Sequence, residues 1–288
     1  MESFNIKSKS KLNLFLEVGA LRNDGYHEIH TIMVKTDLGD YINITLEKSR
    51  RLGINLSCSD KNIPNDENNT IFKVIRELNG IKPIPYEIDI HLNKIVPSKA
   101  GLGGASGDAA AVALLLNKYL NGYYEMNELV EAGKNVGADI PFFFFPGIAE
   151  VTGIGDKLVR QFDNFDINFV IAKFKYIDID TAYAYRSIKN DLTKSKENII
   201  LIRNSIFNKD IRLMASALSN DFENLVFEQY KDLLSLKNKM MEVGALGACL
   251  TGSGSAIFGI VENKEQALMI KERIASPDLE VFACKSTV

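Results

Sequence analysis

The run Pro97-Ser98-Lys99-Ala100-Gly101-Leu102-Gly103-Gly104-Ala105-Ser106-Gly107-Asp108-Ala109-Ala110-Ala111 has the residue types of an anion site. It follows an alternating strand pattern and opens an alanine-rich helix pattern. The first N–H groups of a helix have no partner within it, and the helix dipole places partial positive charge there. Glycines at 101, 103 and 104 let backbone approach a phosphate oxygen with no Cβ in the way. Ser106 adds a hydroxyl for a phosphate or for magnesium. Neither G-x-x-x-x-G-K-S/T nor G-x-G-x-x-G occurs, so this is not a P-loop or a dinucleotide fingerprint. The structural alternative is an ordinary glycine-rich strand-to-helix turn. Elsewhere, His27 and His30 share a segment without H-E-x-x-H, and no Cys/His cluster suggests zinc. Cys58, Cys249 and Cys284 are far apart and odd in number, as expected for inert thiols in a reducing compartment.

The elements that must position this run follow from periodicity. Leu12, Leu14, Leu16 and Val18 alternate, so residues 3–18 read as a strand or paired strands, closed by the turn Arg22-Asn23-Asp24-Gly25. Residues 27–36 and 41–47 alternate in part, which makes the first 60 or so residues β-rich. Ile71, Val74, Ile75 and Leu78 have helical spacing within 68–79. Residues 86–95 read as a strand, 105–120 and 126–136 as helices. The apolar stretch 138–155 is broken by Pro141, Pro146, Gly147, Gly153 and Gly155. A strand near 167–173 opens the second half. Helical stretches follow near 180–190, 197–206, 209–220, 222–227 and 230–243, with the lysine-rich stretch Lys189 to Lys196 expected as a solvated loop. Strands at 256–261 and 279–285 flank a helix at 263–275. A β-rich start mixed with helices predicts an α+β fold.

With 288 residues and 46% hydrophobic content, the chain can bury the cores of one large domain or two smaller ones. Its 34 Lys+Arg against 37 Asp+Glu give a net charge of -3, which argues against nucleic acid as main partner. No signal layout begins the sequence and no apolar run approaches the ~18 residues of a membrane span. The expectation is a soluble cytoplasmic protein with no membrane partner and an undefined oligomeric state.

Three motifs in order carry a resemblance: Ser10-Lys11-Leu12-Asn13-Leu14, the glycine run, and Leu250-Thr251-Gly252-Ser253-Gly254-Ser255-Ala256-Ile257-Phe258. Together they resemble the motifs of the GHMP kinases (galacto-, homoserine, mevalonate and phosphomevalonate kinases) and span nearly the whole chain. Asp24-Gly25-Tyr26-His27-Glu28 and Gly137-Ala138-Asp139-Ile140-Pro141-Phe142-Phe143 are similar to one branch. That branch acts on 4-diphosphocytidyl-2-C-methyl-D-erythritol, a cytidine-diphosphate sugar alcohol, in the non-mevalonate isoprenoid pathway. The resemblance implies a two-domain fold: a ribosomal-S5-domain-2-like N-terminal domain over 1–155 and a ferredoxin-like C-terminal domain over 156–288. It implies phosphoryl transfer from ATP, with Mg2+, to the substrate's 2-hydroxyl. The alternatives are another GHMP kinase, for mevalonate or homoserine, and a non-catalytic ligand-binding relative.

The resemblance also implies roles for residues. Asp139 is the expected base and Lys11 its partner. A carboxylate is a weak base towards an alcohol, so Asp139 mainly orients the hydroxyl while Lys11 steadies it and the growing charge. Tyr26 stacks on cytosine, His27 bonds its polar edge, Tyr185 supplies a second aromatic and Asn13 a further substrate contact. Pro97, Lys99, Ala100 and the run Gly101 to Gly107 hold ATP, with Asn69 on the adenine side. Thr251, Gly252, Ser253 and Gly254 close the site. Structural alternatives stand beside these: N-caps for Asp139 and Asn69, a surface lysine at a strand end for Lys11, a strand-end polar residue for Asn13, an idle turn pair for Tyr26 and His27, a core tyrosine for Tyr185, and a tight turn for 251–253. Three departures from the family pattern bear on the nucleotide. Lys9-Ser10-Lys11 stands where Pro-Ala-Lys is usual. Ala105 and Gly107 replace a glycine and a serine, leaving Ser106 as the hydroxyl. Lys99, where small residues are common, either adds a phosphate contact or faces solvent.

Overall fold

The computed structural model describes residues 1–188 and 196–287. Strands β1 (Glu2–Lys7), β2 (Ser10–Leu21), β3 (His27–Thr36), β4 (Tyr41–Lys48) and β5 (Gly53–Cys58) come first. Helix α1 (Thr70–Ile81), strand β6 (Tyr86–Asn93) and helices α2 (Gly104–Tyr119), α3 (Met126–Val136) and α4 (Ile140–Phe144) follow. The hairpin β7 (Ile148–Thr152) and β8 (Lys157–Phe162) leads to β9 (Asn168–Phe174). Next are α5 (Thr181–Ser187), α6 (Lys196–Asn208), α7 (Ile211–Ser216), β10 (Ser219–Asn220), α8 (Phe222–Gln229) and α9 (Lys231–Glu242). The chain closes with β11 (Gly247–Leu250), β12 (Ile257–Val261), α10 (Lys264–Ile274) and β13 (Leu279–Lys285). The expected loop from Lys189 falls outside the described residues.

Two compact units form from discontinuous segments. The first comprises Met1–Ser10, Leu38–Val96 and Gly103–Phe145; the second comprises Lys11–Asp37, Pro97–Leu102 and the chain from Pro146 onward. They differ from the single division expected at 155/156. The reason is strand pairing: β3 takes β7 as its antiparallel partner, and β2 takes the short β10 in parallel, so early and late segments share a sheet.

In the first unit the sheet order is β1-β4-β6-β5. Ile42, Ile44 and Leu46 face Leu92, Ile90 and Ile88 across the antiparallel β4–β6 ladder, and all six are buried. Period-2 alternation therefore places one apolar face inside. Helix α1 buries Ile71, Val74, Ile75 and Leu78 and packs on α2 and α3. Helix α2 buries Ala109, Ala110, Val112, Ala113 and Leu116; its small side chains allow close approach.

The second unit holds a five-stranded sheet, order β10-β2-β3-β7-β8, and a four-stranded sheet, order β11-β12-β9-β13. The latter is antiparallel throughout. Numbered from β9, its strand order is 2-3-1-4, with helical segments before the second and fourth strands. That is the ferredoxin-like arrangement. Val170, Ala172, Leu250, Ile257, Leu236 and Ile270 lie in its core. Strands β5, β7, β8 and β11 were not expected from periodicity. Strand β8 is exposed at five of its six positions and β11 is buried at all four, so neither shows a clean alternation. The helix expected over 209–220 is shorter, because Ser219 and Asn220 pair with Phe15 and Leu16. No helix among the described residues is long and apolar enough to cross a membrane.

Leu78 on α1 is fully buried. Leu78→Ala should therefore cost about 2–5 kcal/mol in chemical denaturation; a change near zero would mean that α1 does not contribute to this core.

Candidate active site

In the second unit, one carboxamide ties two of the motifs together. Asn13 is buried in β2, and its Oδ1 accepts from Lys11 Nζ at 2.6 Å, Gly252 N at 2.9 Å and Thr251 Oγ1 at 3.2 Å. Its Nδ2 donates to Thr31 Oγ1 at 2.8 Å, and that hydroxyl donates on to the Phe15 carbonyl at 2.6 Å. Strand alternation explains the pairing: Lys11 and Asn13 lie two residues apart and so share a face. Lys11 is 4% exposed, which rules out the surface lysine. The amide expected to meet substrate is largely engaged inside the protein.

The turn at Pro97–Leu102 is locked to the same network. Leu102 O accepts from Lys11 N at 2.8 Å, and Ala100 O accepts from Ala256 N at 3.1 Å. Gly101 has φ 74, and a Cβ there would stand 2.0 Å from the Thr251 carbonyl oxygen. Only glycine meets both demands. Asn220 donates from Nδ2 to the carbonyls of Leu250 and Gly252, both at 2.8 Å, and Ser253 Oγ pairs with Thr181 Oγ1 at 2.9 Å. Residues 251–254 are thus a braced loop tied to Lys11 and Gly101 as well as a turn before β12. Lys99 is exposed, with φ 51 and Nζ 3.4 Å from Asp178. Such an exposed ion pair contributes little.

The first unit holds the start of α2. Gly103, with φ 66, is its N-cap and offers no side-chain cap. The N–H groups of the first turn are therefore not taken by a capping side chain. Ser106 Oγ lies 3.9 Å from the point where a Cβ on Gly137 would stand, which brings α2 close to the segment carrying Asp139. Asp139 is half-buried at the start of α4 and makes no capping hydrogen bond to it, so the N-cap alternative does not describe its side chain. Asn69 does cap: its Oδ1 accepts from Ile71 N at 2.9 Å, and its Nδ2 donates to Pro64 O at 2.7 Å.

The aromatic residues meet within the second unit. His27 Nδ1 is 2.9 Å from the Gly19 carbonyl, so Nδ1 carries a hydrogen; in the uncharged ring this makes Nε2 the acceptor. The His27 ring lies 6.0 Å from that of Tyr185, which packs edge-on against Phe222 at 4.9 Å. Tyr185 is therefore both packed on the core and adjacent to His27. Tyr26 is 60% exposed beside the Arg22–Asp24–Glu28 ion cluster, where hydrogen bonds from Arg22 hold Asp24 below the usual carboxylate range.

Comparison with known proteins extends these motifs to the whole chain. Residues 69–147 match the family model of the GHMP kinases N terminal domain, and 200–277 that of the GHMP kinases C terminal. The chain is 34% identical to a 4-diphosphocytidyl-2-C-methyl-D-erythritol kinase of Acetivibrio thermocellus, over 99% of this chain and 100% of the relative. It is 38% identical to a protein of the same name from Caldicellulosiruptor saccharolyticus, over 93% and 92%. This chain belongs to the 4-diphosphocytidyl-2-C-methyl-D-erythritol kinase family of GHMP kinases. A crystal structure of 4-(cytidine 5'-diphospho)-2C-methyl-D-erythritol kinase matches it with TM-score 0.79 at 25% identity, over 99% and 100% of the two chains. A homoserine kinase from Cytophaga hutchinsonii shares the fold, with TM-score 0.77 at 17% identity, over 100% and 96%. Family membership makes the chain an ATP-using small-molecule kinase that phosphorylates an alcohol.

Two of the chain's departures from the family pattern touch each other. A Cβ on Gly107 would stand 2.0 Å from the Lys9 carbonyl oxygen. The usual serine does not fit against this backbone path, which explains glycine here. Asn220 and Thr31 brace the site, yet nothing in their sequence surroundings marks them. We expect Gly107→Ser to destabilise the protein by roughly 1–3 kcal/mol through forced backbone movement. Ala105→Gly, at an exposed helical position, should cost no more than about 1 kcal/mol. Paired denaturation curves check both; a neutral serine at 107 would contradict the close contact.

Proposed function

We propose that this kinase transfers the terminal phosphoryl of ATP to the 2-hydroxyl of 4-diphosphocytidyl-2-C-methyl-D-erythritol. Asp139 receives and orients the hydroxyl, and Lys11 neutralises charge on the aspartate and on the group in transfer. The observation that carries this reading is Lys11 itself: a buried ammonium aimed by Asn13 and tied through it to Thr251 and Gly252. Asn13 thus serves chiefly by holding Lys11 and the 251–252 turn, with its second Nδ2 hydrogen left for substrate.

On the phosphate side, Gly101 to Gly107 offer backbone N–H groups and Ser106 a hydroxyl, flanked by Pro97, Lys99 and Ala100. No group of three or more His, Cys, Asp or Glu among the described residues is arranged to hold a metal ion. Ser106 is the hydroxyl that this chain would offer to a magnesium ion carried on the phosphate oxygens. When bound, magnesium supplies neutralisation of the phosphate charge. Asn69 shapes the entry to α1 on the adenine side through its cap.

On the acceptor side, Tyr26 presents an open aromatic face for cytosine. His27 Nε2, an acceptor by virtue of the Nδ1 bond, suits the exocyclic amine of that base. Tyr185 backs His27. The His27 side chain therefore supplies one contact to the base edge.

Asp139→Ala should reduce ADP release by at least about a hundredfold with ATP, magnesium and the cytidine-diphosphate acceptor. An undiminished mutant would sink the assigned role. Tyr26→Ala should raise the acceptor's KM roughly tenfold, the loss of one stacked base, with ATP's KM little changed. Equal losses for both ligands would count against stacking on cytosine.

A further inference from the structure

The turn between β2 and β3, which carries Tyr26, is not held by burial. Residues 23–26 are exposed and Arg22 is half-buried. Gly25 takes φ 84, a backbone state that other side chains resist. What fixes the turn is polar. Arg22 N donates to the Tyr26 carbonyl at 2.7 Å, and Gly25 N to the Arg22 carbonyl at 3.1 Å. Tyr26 N donates to Asp24 Oδ1 at 3.2 Å. Both backbone polar groups of Tyr26 are therefore engaged inside the turn.

The Arg22 guanidinium links this turn to the next one. Nε donates to Asp24 Oδ1 at 3.2 Å and Oδ2 at 3.1 Å, and Nη2 to Oδ2 at 2.9 Å. Nη1 reaches the other way, to Glu28 Oε2 at 2.8 Å. Glu28 Oε1 accepts from Gly153 N at 3.0 Å, and the Gly153 carbonyl accepts from Ile29 N at 2.7 Å. A chain of bonds thus runs from the Tyr26 N–H through Asp24, Arg22 and Glu28 to Gly153, which directly follows β7. His27 lies between the two acidic residues in sequence, with its ring fixed on the Gly19 carbonyl. All of these residues belong to the second unit.

We infer that Arg22 is a positioning residue for the acceptor's base: by cross-linking Asp24 to Glu28, it presets the backbone that presents Tyr26 and His27. The inference rests on the reading that these two side chains receive cytosine. Arginine suits the task by shape. Its planar fork spreads donors over two carboxylates at once, whereas the compact ammonium of a lysine cannot span both in the same geometry. An isolated exposed ion pair contributes little, but a bidentate pair within a network is the exception. A turn set in advance lowers the ordering cost of binding. Charge separates this role from a direct grip on the acceptor's diphosphate. Two acidic side chains share the one guanidinium, so the cluster has no positive charge to spare for an anion.

The sequence contains no tryptophan, so Tyr26→Trp places a lone indole reporter in the turn. Time-resolved anisotropy of that protein without ligand reads the nanosecond motion of the turn. Quenching of the indole by cytidine diphosphate reads binding. Adding Arg22→Lys should lower the residual anisotropy and weaken cytidine diphosphate binding about three- to fivefold. With the native Tyr26, Arg22→Lys should raise the acceptor's KM by the same factor and leave kcat and the KM of ATP within about twofold. Unchanged anisotropy, or an equal rise in both KM values, would overturn the inference. So would a lysine that fully replaces the arginine, since that result assigns Arg22 a simple charge contact. Absence of quenching by cytidine diphosphate would sink the stacking reading, and the anisotropy would still decide whether Arg22 holds the turn.

Discussion

The Asn13 carboxamide oxygen holds together parts of the chain that are about 240 residues apart in sequence. It takes hydrogen bonds from an ammonium, a hydroxyl and a backbone N–H, and its own nitrogen is fixed by Thr31. A neutral amide is suited to this. An aspartate could not donate to Thr31 and would neutralise Lys11 in place. An apolar residue would remove the hydrogen bonds to Lys11, Thr251 and Gly252 together. Through Asn13, Lys11 is aimed. The Gly101 turn and the 251–254 loop then follow, because Leu102, Ala100 and Thr251 are bonded into the same set of atoms.

The phosphate turn is built by exclusion as much as by attraction. Positive φ at Gly101 and Gly103 and the close Thr251 carbonyl leave no space for side chains. Gly107 is demanded from a different direction, by the carbonyl of Lys9. Where the family pattern has a hydroxyl, this chain has a tighter path between β1 and β2.

Much of this was legible in the residues. The alternation of β4 and β6, the helical spacing of Ile71 to Leu78, and the glycine run before α2 follow from local rules and are present. The ferredoxin-like sheet was implied by the family resemblance and is present, although β11 was hidden within an apolar and glycine-rich stretch. Division into units was not legible, because it depends on β3 pairing with β7 across more than a hundred residues. In the site, the glycine run could be read as a helix-start turn, whereas the internal hydrogen bonds of Asn13 to Lys11, Thr31, Thr251 and Gly252 could not be read from its neighbours in sequence. Asn69 carried two readings, and its hydrogen bonds are those of a cap. Lys94, Asp40 and Asp108 carry no motif as a set; only the fold brings them together.

The central claim is that this framework directs phosphate from ATP onto one hydroxyl of a cytidine-diphosphate sugar alcohol. Phosphorus NMR of the product formed from 4-diphosphocytidyl-2-C-methyl-D-erythritol, ATP and magnesium tests it most directly. A new monoester resonance coupled to the 2-position of the methylerythritol, beside an intact diphosphate, is the predicted result. Phosphate on another hydroxyl, or ADP formed with no new monoester, would contradict it.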